Sequence, residues 1–157
     1  MATHTATIAW RRKGAAFLDR LYSREHEWRF DGGAVVQASS SPHVVRVPLS
    51  NPAYIDPEEA FIAALSSCHM LWFLDLAARE GYVIEQYLDR ATGRMGRRDG
   101  REWIASVVLS PAVAFGGARP PDEEAVLELH HRAHEACFIA NSVRTEVSVT
   151  GSWTFEG

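Results

Sequence analysis

Residues 56–76 have the sequence DPEEAFIAALSSCHMLWFLDL, and this stretch decides the fold. Asp56 can cap free backbone N–H groups, Pro57 suits the first helical position, and Glu59 can reach back to the cap residue. The apolar residues that follow form a wide stripe, which predicts a helix buried on more than one side. Gly81 is expected to end this helix, because glycine readily adopts the left-handed conformation of a helix C-terminus.

Strand patterns flank this helix. We predict strands at 6–11, 27–30, 34–38 and 44–47, then at 83–90, 103–109, 112–115 and 145–155. The segment 94–101, rich in arginine and glycine, is expected to form a solvated hairpin tip. Asp122 is expected to cap a second helix that ends near Cys137. Blocks of strands with inserted helices indicate an α+β fold, here in a single domain spanning 1–157.

Composition and charge argue against several classes of protein. The chain is 46% hydrophobic and 23% charged, as is usual for soluble globular proteins. Its net charge is −4 and it has no long basic block, so neither nucleic acid nor a membrane is an expected partner. The polar side chains within 61–78 favour a buried helix over a membrane span. Residues 1–14 do not resemble a secretory signal, so we expect a cytoplasmic protein.

The two cysteines are the candidate reactive groups. Cys68 lies in the middle of the first predicted helix, and Cys137 lies at the end of the second. Two thiols in a reducing compartment are more often inert, catalytic or metal-bound than structurally bridged. Their placement on separate elements suits a peroxide cycle, in which one thiolate becomes a sulfenic acid and the other condenses with it. Such a thiolate needs a nearby Arg, and a carboxylate can hold that Arg in place.

Glu58 is a candidate for this carboxylate, although it cannot reach Cys68 of its own chain. Ten residues along a straight helix correspond to about 15 Å. If both residues serve one site, two copies of the helix must pack antiparallel, with Glu58 of one subunit near Cys68 of the other. The spacing therefore predicts a symmetric dimer with an interfacial site.

Three stretches together resemble the OsmC/Ohr family of organic hydroperoxide reductases. Residues 56–76 are similar to the family's Pro-Glu-Glu helix with its embedded peroxidatic cysteine. Residues 130–146, HHRAHEACFIANSVRTE, are similar to the segment that holds the resolving cysteine. Residues 22–33, YSREHEWRFDGG, resemble a subgroup usually labelled only OsmC-like.

This resemblance implies an intertwined homodimer, with antiparallel sheets packed around two long central helices and active sites at the subunit interface. It implies Cys68 as the peroxidatic thiol, Cys137 as the resolving thiol and Glu58 as the acid that orients an Arg. It also implies a dithiol reductant of the dihydrolipoamide type and no bound cofactor. The expected activity is reduction of alkyl or fatty-acid hydroperoxides.

The activating arginine does not align cleanly with the best-studied family members. We choose Arg24, in YSREH, and keep Arg46 and Arg12 as alternatives. The chain also has His69 after Cys68, where those members have an aromatic residue. A displaced arginine would affect peroxide reduction and not the fold.

Three further side chains are candidates for the substrate pocket, namely His26, His69 and Trp72. Trp72 lies one helical turn beyond Cys68, where its ring could wall an apolar pocket.

Two other interpretations remain open. His130, His134 and Cys137 share one helix face and could bind zinc with His69 as a fourth ligand, although we predict no metal. The chain could also be a non-enzymatic OsmC-like protein that binds a small apolar ligand or senses redox state through a regulatory disulfide.

Overall fold

The computed structural model describes residues 1–156, which contain two α-helices and nine strands. The helices are α1 (Pro57–Arg79) and α2 (Glu123–Ala136), and a 3-10 turn covers Ala140–Ser142. The strands are β1 (Ala6–Ala9), β2 (His26–Phe30), β3 (Val35–Ala38), β4 (Val83–Asp89), β5 (Thr92–Arg98), β6 (Arg101–Leu109), β7 (Pro111–Gly116), β8 (Glu146–Val149) and β9 (Ser152–Phe155). This is the α+β class that the sequence predicted.

Both ends of α1 form as the sequence predicted. The Glu59 N–H donates to Asp56 Oδ1 at 2.8 Å, and the Asp56 N–H donates to Glu59 Oε2 at 3.2 Å. This reciprocal capping box satisfies two N–H groups that a helix start would otherwise leave unpaired. At the other end the chain turns at Gly81, whose φ of 80° lies in the left-handed region.

The burial of α1 differs from the expectation. Its buried residues lie on one face, at Leu65, His69, Phe73, Leu76 and Ala77. The opposite face carries the exposed residues Ala64, Ser67, Leu71 and Ala78. The prediction of burial on more than one side is therefore wrong for the single chain, because the wide apolar stripe is only half covered.

By length and composition alone, α1 could cross a membrane. Its most apolar window has a mean hydropathy of 1.5, and 28% of that window is buried. Our interpretation of 61–78 as too polar for a span does not hold on this criterion. The core helix of a soluble protein has the same properties, so this one helix is weak evidence for a membrane protein.

Contacts along the chain cluster into two compact units, Met1–Ala60 and the part that begins at Phe61. The single domain expected from the sequence stays a prediction. In the first unit, β1, β2 and β3 form an antiparallel sheet with β2 in the centre. The predicted strand at 44–47 is wrong. The N–H groups of Val44 and Val45 both donate to the Ser41 carbonyl, so turns take up the donors that a strand would need.

The second unit contains two three-stranded sheets, ordered β4-β7-β9 and β5-β6-β8. The β4/β7 and β5/β6 pairs are antiparallel, whereas β6/β8 and β7/β9 are parallel. Helices α1 and α2 pack on the β4-β7-β9 sheet in one buried cluster. This cluster includes Phe73, Phe115 and Leu129. A second buried cluster joins Leu65 of α1 to Val107 and Leu109 of β6. These two clusters hold the thiol-bearing part of α1 against the sheets.

Two strand predictions in this unit are wrong in detail. The predicted hairpin tip at 94–101 is mostly strand β5, and the turn itself is only Asp99–Gly100. The predicted strand 145–155 is two strands, β8 and β9, which pair with different sheets. Between them, a Cβ at Gly151 would lie 2.8 Å from the Pro111 carbonyl oxygen, so glycine is required where the chain changes sheets.

Candidate functional site

The two thiols belong to the second unit and differ in exposure. Cys68 is half-buried near the middle of α1, whereas Cys137 is 1% exposed and forms the C-terminal cap of α2. Both are free thiols. The Cys137 N–H donates to the His134 carbonyl, which fixes the position of this residue at the helix end. The more accessible sulfur is therefore that of Cys68.

Cys137 lies close enough to Cys68 for the two thiols to influence each other. Burial and, next, the neighbouring Cys68 thiol together raise the pKa of Cys137 to about 11. The Ala140 N–H donates to Cys137 Sγ at 3.4 Å, an interaction that opposes the rise. At neutral pH Cys137 is consequently a protonated thiol that faces Cys68.

Cys68 opens into a cleft of about 330 Å³ with mainly apolar walls. The cleft is lined by Cys68, Leu71, Trp72, Asp75, Arg79 and Phe138. The rings of Trp72 and Phe138 meet edge to face, with centroids 5.6 Å apart. The two charges at the rim pair with each other, with Arg79 Nη2 2.7 Å from Asp75 Oδ2. Trp72 thus lines the cleft beside Cys68, and its role in a substrate pocket stays a prediction.

His69 does not line this cleft. Its ring is 1% exposed, and its Nε2 lies 3.0 Å from Nδ1 of His130 on α2. The two rings are nearly parallel, with centroids 5.3 Å apart. Burial, together with the nearby rings of His130 and His134, lowers the pKa of His69 to about 4. Burial likewise lowers the pKa of His130 to about 4, against an opposing contribution from Asp89.

This histidine pair predicts a loss of stability in acid. The pKa of both rings is about 4 in the folded chain, against an ordinary value of 6.5, so the unfolded chain binds more protons between these values. The free energy of unfolding should fall as pH drops from 6.5 to about 4, by on the order of 2 kcal/mol per ring. Urea unfolding across this range measures the slope. A double variant His69→Gln/His130→Asn should lose that part of the slope, and an unchanged slope would contradict the assignment.

The predicted residues Arg24, His26 and Glu58 line one cavity in the first unit. Its volume is about 480 Å³. The cavity is lined by Ile8, Trp10, Phe17, Tyr22, Arg24, His26, Ser39, Ser40, Pro57 and Glu58. Three of these side chains are mutually packed aromatic rings, with Phe17 stacked on Tyr22 at 4.7 Å between centroids. The cavity therefore combines an apolar wall with a cation and a carboxylate.

Arg24 is held by its own segment of chain. Its guanidinium donates to the carbonyl oxygen of Arg20 at 2.9 Å and to that of Tyr22, and it lies 3.8 Å from the centre of the Tyr22 ring. Within residues 1–156 the structure records no ion pair between Arg24 and Glu58. The expected forked pair is thus not formed in this chain. Arg46, one of the two alternatives, is exposed and does not line the cavity.

Arg12, the other alternative, is also exposed and outside the cavity lining.

His26 lines the same cavity, and two hydrogen bonds fix the orientation of its ring. The Trp28 Nε1–H donates to His26 Nε2 at 2.9 Å, so the ring proton lies on Nδ1 and is donated to the Arg24 carbonyl at 2.8 Å. These contacts orient the segment that presents Arg24.

Glu58 and Cys68 lie on the same helix, α1. Because α1 is continuous from Pro57 to Arg79, Glu58 and Cys68 are separated by ten residues of unbroken helix. The roles assigned to Cys68, Cys137, Glu58 and Arg24 stay predictions. No group of three or more His, Cys, Asp or Glu residues in the part of the chain that the structure describes is arranged to hold a metal.

A family model for OsmC-like proteins matches residues 50–152. The chain belongs to the OsmC-like family. The matched range contains both cysteines and Glu58, whereas Arg24 and His26 lie outside it. No protein of curated function matches the chain.

Solved OsmC-like structures have the same fold. An OsmC-like protein of unknown function from Vibrio cholerae is 52% identical, with a TM-score of 0.94 over 96% of this chain and 99% of that one. An organic hydroperoxide resistance protein from Elizabethkingia anophelis is 18% identical, with a TM-score of 0.67 over 99% of this chain and 98% of that one. The organic hydroperoxide resistance protein OhrB of Bacillus subtilis is 16% identical, with a TM-score of 0.60 and 98% of each chain covered. The likeness to the last two structures shows the shared fold.

Two features of this OsmC-like chain were not predicted from its sequence. Phe138 and Leu71 help to line the Cys68 cleft, and the signal for them was an apolar residue within three positions of each cysteine. His130 was considered only as a zinc ligand, with His69 as a possible fourth, and their direct hydrogen bond between two different helices was not predicted.

Proposed function

We propose that the chain is a thiol peroxidase that reduces organic hydroperoxides through Cys68 and Cys137. The observation that carries this proposal is the pair of neighbouring free thiols, one open to an apolar cleft and the other buried. In such an arrangement a peroxide can reach one sulfur, and the second sulfur lies nearby to form the disulfide.

In the first step the Cys68 thiolate attacks the O–O bond of the hydroperoxide. The sulfur is oxidised to a sulfenic acid, and the leaving alkoxide takes a proton and departs as an alcohol. The cleft is lined by the apolar side chains of Leu71, Trp72 and Phe138. This lining favours an alkyl or fatty-acid hydroperoxide over hydrogen peroxide, because binding there removes the apolar part of the substrate from water.

In the second step the Cys137 sulfur attacks the Cys68 sulfenic acid. An S–S bond forms, the S–O bond breaks, and the sulfenic hydroxyl takes the Cys137 proton and leaves as water. Because burial keeps Cys137 protonated at neutral pH, this residue suits the resolving role better than the attacking one. A dithiol reductant of the dihydrolipoamide type then restores both thiols and becomes a cyclic disulfide.

The proposal includes a homodimer with interfacial sites. The exposed face of α1, with Leu71 60% exposed, offers an apolar surface for a second copy. Antiparallel packing of two such helices would bring Arg24 and Glu58 of one subunit to Cys68 of the other. There the guanidinium would favour the thiolate, and the carboxylate would orient the guanidinium. A cytoplasmic location, with its reducing conditions, is part of the same proposal.

The test is peroxide consumption by purified protein with dihydrolipoamide as the electron donor. Cumene hydroperoxide should be reduced with a kcat/KM about 30- to 100-fold above that for hydrogen peroxide, since burial of its aromatic group is worth about 2–3 kcal/mol. If neither peroxide is consumed while an apolar ligand still binds, the non-enzymatic OsmC-like alternative would replace this proposal.

A further inference from the structure

The contact between His69 and His130 joins the two thiol-bearing helices inside the second unit. It is the one direct side-chain hydrogen bond recorded between α1 and α2 within residues 1–156. The two rings are 1% and 8% exposed, and the Phe73 ring packs on His130 with centroids 4.4 Å apart. His69 directly follows Cys68, and His130 lies on the helix that Cys137 terminates. The pair therefore ties together the elements that present the two sulfurs.

The surroundings of the pair determine which ring donates. His69 Nδ1 is buried and has no hydrogen-bond partner. If that nitrogen carried the proton, a buried N–H would be left unpaired, at a cost of about 1–3 kcal/mol. An unpaired acceptor nitrogen costs less, so His69 holds its proton on Nε2 and donates it to Nδ1 of His130. Both rings are then neutral, and their hydrogen bond has a defined direction.

We propose that this His69–His130 hydrogen bond is a positioning element that holds Cys68 against Cys137 and so favours the disulfide between them. The inference rests on the Cys68–Cys137 disulfide of the proposed function, and it assigns to both histidines a role that is separate from substrate binding. Neither ring lines the Cys68 cleft, so they act on the reaction only through the helices that carry the sulfurs.

The geometric reason is that a buried, directional bond restricts how α1 and α2 slide or rotate against each other. The apolar contacts around the pair, such as those of Phe73 and Leu129, tolerate small shifts, because apolar packing has no preferred direction. A shift of either helix would separate two sulfurs that must approach to bonding distance. The pair should thus raise the effective concentration of one thiol at the other.

Two isosteric comparisons test this role. His69→Gln keeps an N–H donor and His69→Met removes it, whereas His130→Asn keeps an acceptor and His130→Leu removes it. The measured quantity is the equilibrium constant for the Cys68–Cys137 disulfide in buffers of reduced and oxidised glutathione at pH 7. In this exchange glutathione disulfide accepts the two electrons, and two glutathione thiols are released.

We expect the Met and Leu variants to lower that constant about five- to tenfold, because helices that are free to shift reduce the effective concentration of one thiol at the other, and the Gln and Asn variants to stay within about twofold of wild type. Equal constants in all five proteins would overturn the proposal, as would Gln behaving like Met and Asn like Leu. Nitrogen NMR of wild-type imidazoles gives a second readout if a variant does not fold. The His69 proton should lie on Nε2 in both the reduced and the oxidised protein, and its loss on oxidation would overturn the proposal.

The outcome is separable from that of the proposed function. Glutathione supplies the oxidant, so no peroxide is needed for the disulfide to form. A protein that shows the expected ranking of variants but consumes no hydroperoxide would contradict the peroxidase and leave the positioning role intact.

Discussion

Cys68→Ser is expected to abolish the reduction of organic hydroperoxides, with a loss in kcat/KM of roughly a thousandfold or more. A serine hydroxyl is not ionised at neutral pH and is a poor nucleophile toward the O–O bond, while its size preserves the packing of α1. The measurement is the rate of cumene hydroperoxide consumption with a dithiol donor. Retained turnover in this variant would end the peroxidase proposal.

Cys137→Ser is the matched control for this result. Its Cys68 should still react once with peroxide, because the attacking sulfur and its cleft are intact. The sulfenic acid should then persist long enough for trapping with a 1,3-dione, and it should pass to the sulfinic acid at high peroxide, since no second thiol removes it. A Cys137→Ser protein that cycles as fast as wild type would exclude a resolving role.

The mixed dimer of Glu58→Ala and Cys68→Ser chains is expected to regain activity that neither parent dimer has. In an interfacial arrangement, the Glu58 of the Cys68→Ser chain meets the Cys68 of the Glu58→Ala chain, and one complete site forms. Because α1 is unbroken, ten residues separate Glu58 from Cys68 in each chain, about 15 Å along the helix. Each mixed dimer should therefore show about half of the wild-type activity, one site of two.

Co-expression with two different affinity tags isolates the mixed dimer for this assay. The double variant Glu58→Ala/Cys68→Ser paired with a wild-type chain is the control, since each of its two interfacial sites lacks one group. Activity in the control equal to that of the complementing pair would show that Glu58 and Cys68 do not need to come from different subunits. A monomer in solution would contradict the interfacial site directly.

Local sequence signals predicted the elements that depend on neighbouring residues. The capping box at Asp56 and Glu59 forms as expected, because both partners lie within one helical turn. Asp122 likewise caps α2 through the Ala125 N–H. The strand expected at 44–47 does not form, because the local turn at Ser41 takes up the N–H groups of Val44 and Val45. Residues 145–155 form two strands and not one, because each half pairs with a different sheet.

The sequence by itself determined the family, the α+β class, and the two helices that carry Cys68 and Cys137. These follow from caps, apolar periodicity and motifs, which are properties of residues close together in the chain. Only the tertiary structure decided that one thiol is accessible and the other buried, that His69 turns inward to His130, and that Arg24 bonds backbone carbonyls. These features arise where distant segments exclude water and supply hydrogen-bond partners, and no local pattern encodes which segments will meet.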